Sequence, residues 1–120
     1  ALADARLKRK EKITEVAKEK RDGSIVVSGV SVKTDNGHIA EMSGALEQWD
    51  SMGWTELDFT NSAGQAVTVN KAQLQGIYNA ATSHRQAWRS WEAAKFRAVD
   101  DATTPAQVKE VDPTADWPGN

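Results

Sequence analysis

At 120 residues, 39% hydrophobic and with a formal net charge of -2, the chain is long enough for one domain with a real core and too short for two. It has no Cys, which excludes disulfides, thiolate nucleophiles and Cys-ligated zinc together. No apolar run approaches the roughly 18 residues that span a bilayer and no signal peptide is visible, so no membrane partner is expected.

The near-neutral charge hides a polarity. Residues 1–21 hold eight basic residues against four acids, and the remainder holds seven against thirteen. The stretch "LADARLKRKEKITEVAKEKR" has no Gly or Pro and is rich in helix formers, so residues 1–22 are expected as a basic N-terminal helix. Its apolar positions hold one face only around Ile13, Val16 and Ala17, which predicts an arm whose first twelve residues could be removed without unfolding the body. Gly23 closes the helix.

Residues 23–112 are expected to form an α+β domain. "SIVVSGVSVKTD" is β-branched and short with Gly29 at its middle, as in a small hairpin or one kinked strand. "TDNG" then supplies turn and cap chemistry for a helix whose stripe is Ile39, Met42, Leu46 and Trp49. After Gly53, Thr55, Leu57 and Phe59 alternate with polar residues, and Val67 and Val69 do the same beyond "NSAG". That period of two predicts a second hairpin with its apolar face inward, and Trp54, out of phase, at the strand's start or on its other face. Asn70 and Gln73 have the spacing of a capping box, so a long helix begins there. Its expected stripe runs Leu74, Ile77, Ala81, His84, Trp88, Trp91, Lys95, Ala98 and Ala102, and the part from Leu74 to Trp91 is expected to pack on the hairpin as one core. Thr104, Pro105 and Gln107 start a short last helix, and residues 113–120 read as an irregular tail.

Few residues point to chemistry. His84 and His38 are the only His residues and neither has a carboxylate four residues away, so neither is expected to hold a metal. No Ser lies in a GxSxG elbow, and the glycines are scattered singly rather than gathered in a phosphate-cradling loop. No catalytic, cofactor-binding or metal-binding residue is assigned, and the chain is not expected to be an enzyme. The run "RLKRKEK" makes Arg6, Lys8, Arg9, Lys10 and Lys12 a candidate basic patch that could neutralise phosphates. It carries no aromatic to stack on bases, and the rest of the chain is acidic. A small nucleic-acid-binding module is therefore the alternative reading, and a helix paired with its own acidic body is preferred.

Trp49, Trp88 and Trp91 fall on apolar stripes, while Trp54 and Trp117 sit at element ends. A stripe longer than the expected hairpins can cover predicts an oligomer or a complex, unless the first helix folds back over it. The candidate interface is Trp54, His84, Trp88, Trp91, Lys95 and Trp117.

The ordered series from "VSVKTDNGHIAEMSGAL" through "GWTELDFTNSAGQAVTVNKAQLQGIYNAATSHRQAWRSWEAAKFRAVDDATTPAQVKEVD" to "DWP" resembles a family of bacteriophage and prophage domains. That family occurs in tail-fibre, tail-fibre-assembly and other tail-associated proteins, and its own function is unassigned. The resemblance rests on Thr34-Asp35, Trp54-Thr55, Val67/Val69 leading to Gln73-Leu74, His84-Arg85-Gln86-Ala87, and Ala102-Thr103-Thr104 to Val108 and Trp117-Pro118. It covers the chain from about residue 15 onward and leaves out the basic helix, and Asp58-Phe59 stands where a more polar pair is expected. The resemblance implies a non-enzymatic tail component or fibre-assembly chaperone without cofactors. It implies tail or tail-fibre proteins as partners, in the virion tail or in the host cytoplasm during assembly.

Overall fold

A computed structural model describes residues 1–119; Asn120, the last residue of the expected tail, lies outside the described residues. The fold is mixed α and β. Its elements run α1 (Leu2–Arg21), β1 (Ser24–Val27), β2 (Val30–Lys33), α2 (Asn36–Gln48), β3 (Leu57–Thr60), β4 (Ala66–Val69), α3 (Lys71–Asp101) and α4 (Pro105–Glu110). The strands form two separate antiparallel hairpins.

The chain divides into two compact units, one of Arg21–Arg85 and the other of Ala1–Lys20 with the chain from Gln86 onward. α3 contributes its first half to the one and its second half to the other. In the hairpin unit, Val32, Trp49, Val69, Leu74 and Ile77 form the buried cluster, with Met42, Leu46, Trp54, Leu57, Phe59 and Val67 packed against it. In the helical unit, Ile13, Ala17, Trp88, Trp91, Val99, Ala102 and Val108 form a second cluster. The single core expected from Leu74 to Trp91 is thus two cores. The reason is length: a four-residue strand spans roughly 13 Å, which covers about nine residues of helix.

Local chemistry accounts for each boundary. Ser28 and Gly29 take positive φ values of 51° and 81°, the two-residue turn whose twist matches that of paired strands. Gly29 is the turn residue and the segment is a hairpin, not a kinked strand. The "NSAG" turn closes the second hairpin: Asn61 N–H donates to the Gln65 carbonyl at 2.8 Å, and Gly64 takes a φ of 80°. The capping box of α3 forms reciprocally, Gln73 N–H donating to Asn70 Oδ1 and Asn70 N–H to Gln73 Oε1, both at 2.8 Å. Gly23 does not end α1 through a left-handed conformation; its carbonyl instead accepts the Thr34 N–H at 3.0 Å.

Asp35 caps α2, accepting the His38 N–H at 2.9 Å, and the His38 ring Nδ1 lies 2.8 Å from the same oxygen. The backbone hydrogen bond first, and the ring contact second, hold the Asp35 carboxyl below the usual carboxylate range. Because the folded value lies below the unfolded one, the carboxylate's contribution is complete above about pH 4 and fades as the pH falls toward the folded value. Asp35→Ala should cost about 1 kcal/mol at neutral pH, and its acid unfolding limb should be shallower than that of the native chain. Urea unfolding at several pH values checks both; equal loss at every pH would mean that the cap acts without its charge.

Candidate functional site

The expected interface residues do not form one exposed surface. Trp88 and Trp91 are buried in the helical unit, their rings edge-to-face with centroids 5.3 Å apart. Ile13 and Ala17 of α1 share that cluster, with Leu2, Ala5 and Val16 packed against it. The first helix therefore folds back over the stripe, and the case for an oligomer built on uncovered Trp88 and Trp91 falls. α1 contributes Ile13 and Ala17 to this core, while of its first twelve residues Leu2 and Ala5 pack at the cluster's edge.

The segment after α4 completes the cover. Trp91 Nε1 donates to the Ala115 carbonyl at 2.9 Å, and the Lys95 ammonium meets Asp116 at 2.8 Å. Trp117 packs edge-on against Trp88 at 5.7 Å, donates Nε1–H to the Pro113 carbonyl at 3.0 Å, and takes the Lys20 ammonium over its face at 4.6 Å. This irregular segment clasps α3. Trp117 is still 41% exposed, the most open of the candidate aromatics. Trp54 is half-buried and meets Trp49 edge-on at 6.0 Å in the hairpin unit, a lid on its own core.

The α3 stripe also needs correcting at two positions. Arg85 is buried where His84 is expected, and Val99 where Ala98 is expected; His84 is half-buried and Ala98 exposed. Both buried residues lie one place later than the seven-residue spacing puts them, while Trp88, Trp91, Lys95 and Ala102 are buried where that spacing puts them. Arg85 anchors the hairpin unit. Its Nη1 meets Asp22 Oδ1 at 2.7 Å and donates to the carbonyls of Thr34 at 2.8 Å and Arg21 at 3.3 Å. The fully buried Thr34 donates its hydroxyl to the Arg21 carbonyl at 2.7 Å.

Most of the basic patch is engaged inside the helical unit. Arg6 donates to the carbonyls of Ala102 at 2.6 Å and Asp100 at 3.3 Å, where α3 ends and its unpaired carbonyls attract cations. Arg9 donates to the Lys109 carbonyl at 3.4 Å. Lys10 pairs with Asp100 at 2.7 Å and lies over the Phe96 ring, and Lys12 faces Glu15 at 3.7 Å. Lys8 is exposed.

A groove of about 370 Å³ lies in the hairpin unit, and no sequence signal marks it. Val32 and Lys33 of β2 and Leu57 through Thr60 of β3 line it, with Met42 and Ala45 of α2 and Leu74 of α3 adding apolar surface. His38 and Glu41 add polar groups from α2. β2 and β3 are not paired with each other. The hairpins meet where Ser62 N–H donates to the Ser31 carbonyl at 3.0 Å, with the two hydroxyls also hydrogen-bonded.

Among the described residues, no group of three or more His, Cys, Asp or Glu is placed to hold a metal ion, and no helix is long and apolar enough to cross a membrane. No curated protein and no solved structure matches the chain. One family model does, over residues 4–115, and so takes in most of the basic helix that the bacteriophage resemblance leaves out. The chain belongs to that family, a domain of unknown function designated DUF4376.

Proposed function

Starting from membership of that family, we propose that this chain is a non-enzymatic protein of a bacteriophage tail that acts through protein–protein contact. It serves as a structural component of the tail or as a chaperone in assembling the tail fibre. The setting comes from the resemblance of the series Thr34-Asp35 to Trp117-Pro118 to tail-associated domains. The observation that carries the mode of action is the groove of the hairpin unit, which combines apolar lining with the open edges of two strands. Open strand edges bind polypeptide. The nucleic-acid reading has less to rest on, because Arg6, Arg9 and Lys10 are held against the chain's own carbonyls and Asp100.

The test is to produce particles in cells carrying an epitope-tagged copy of the chain, then analyse purified particles and unassembled fibre protein by mass spectrometry and labelled electron microscopy. Tag density on the tail is the expected result for a structural component. A complex with fibre protein that is lost from finished particles is the expected result for a chaperone. Finding the chain with neither, or retained on random DNA in a salt-dependent manner, would overturn the reading.

A further inference from the structure

We propose that the groove of the hairpin unit takes an extended segment of a partner protein as an added β-strand between β2 and β3. The proposal rests on the reading that the chain works by protein contact, and it names the site and the form the partner must present.

The backbone registers decide which groups face the groove. In the first hairpin Val27 pairs with Val30 across a two-residue turn, so they are the pair that exchanges hydrogen bonds. Alternation then makes Ile25 and Val32 the next bonded pair and turns the amide and carbonyl of Ser31 and Lys33 away from β1. Two observed bonds agree: the Ser31 carbonyl is taken by Ser62 N–H, outside the hairpin, and the Thr34 N–H turns inward to Gly23. In the second hairpin Asn61 bonds inward to Gln65, so Phe59 and Leu57 also face β4, and Asp58 and Thr60 face outward. Lys33, Asp58 and Thr60 all line the groove. Backbone donors and acceptors therefore stand at a two-residue repeat on β3, at Asp58 and Thr60, with those of Lys33 on β2 beside the same cavity.

That repeat selects the occupant. A helix satisfies its own backbone and would leave these groups unpaired, whereas an extended chain presents donors and acceptors on both sides. Seated between β2 and β3, such a segment would turn alternate side chains toward Met42, Leu74 and Phe59, and the others outward. The fitting sequence is short, with apolar residues at every second position. Lys33 on one edge and Asp58 on the other put charges of both signs beside it, which discourages indiscriminate edge pairing and favours partners with matching flanks.

The test screens the full chain against a displayed library of random short peptides. Peptides with apolar residues at alternate positions should be enriched. Adding one of them should slow hydrogen exchange at the amides of Lys33, Asp58 and Thr60. Thr60→Pro removes an outward amide without touching the bonds of its own hairpin. It should weaken peptide binding roughly tenfold or more while the melting temperature holds. Glu41→Trp, at an exposed position on α2, keeps the question answerable if the proline variant fails to fold: its ring should block the groove and abolish binding. The proposal is overturned by no enrichment, by binding that leaves those three amides unprotected, or by peptides that bind native chain and folded variants alike. It is also overturned if the amides become protected without peptide as protein concentration rises, which would seat a second copy of this chain in the groove. Presence on tails is measured separately, so the groove and the tail assignment can fail independently.

Discussion

Arg85→Ala should lower the stability of the chain by roughly 1–3 kcal/mol, the cost of leaving a buried polar group without its partner. Arg85 is 6% exposed, and one of its nitrogens contacts a carboxylate and two carbonyls. Those carbonyls lie at the end of α1 and the end of β2, while Arg85 stands on α3, so one side chain joins three parts of the hairpin unit. Truncation leaves the Thr34 carbonyl without its donor in a buried site. Asp22 is different: its side chain is 34% exposed and can hydrate when the arginine is lost. Asp22→Asn should therefore cost only about 1 kcal/mol, and the double variant should be little worse than Arg85→Ala alone. Arg85→Lys should not rescue, since an ammonium cannot reproduce the planar set of donors. Urea unfolding of the four chains measures this through a lower midpoint at unchanged slope. A loss below about 1 kcal/mol for Arg85→Ala would show the network to be solvated rather than buried.

The same residue marks where the sequence stops being legible. The hairpins, the helix starts and the α+β class follow from local signals: alternation at Leu57/Phe59 and Val67/Val69, and capping residues Asp35, Asn70 and Thr104. Each of those needs only near neighbours in the chain. Arg85 is not readable in that way, because a lone arginine on a helix reads as solvated until Asp22 and Thr34, more than fifty residues earlier, close around it. His84 takes its place in the expected stripe for the converse reason, since an imidazole is tolerated on an apolar face. The basic run of α1 hides its role likewise. Its cations suggest a polyanion partner, and only the fold shows Arg6 at the carbonyls that end α3. The groove left no local trace at all, being made by two strand edges whose open amides are set by register.

Ile13→Ala should cost roughly 2–5 kcal/mol, as large as a core substitution in any part of the chain. Only two turns of α1 bury apolar residues fully, at Ile13 and Ala17, and both enter the cluster that holds Trp88, Trp91, Val99 and Val108. With so few residues filling that face, truncating the larger one leaves a cavity in the cluster that holds the two indoles. Surface charges on α1 offer no compensation, since exposed pairs such as Lys12 with Glu15 contribute little. Removing residues 1–12 should also destabilise the helical unit, contrary to what the weak periodicity of that stretch implies. The deletion takes away Leu2 and Ala5 from the edge of the cluster, and Arg6 from the carbonyls of Asp100 and Ala102. The two changes differ in what they expose. Ile13→Ala acts on buried volume and should leave the salt dependence of stability unchanged. The deletion also removes charge contacts, including Lys10 with Asp100, so its cost should shrink as salt screens them. Thermal melts followed by Trp fluorescence read both, because Trp88 and Trp91 move into water when the cluster opens. A truncated chain that melts cooperatively at the native midpoint would return α1 to the status of a detachable arm.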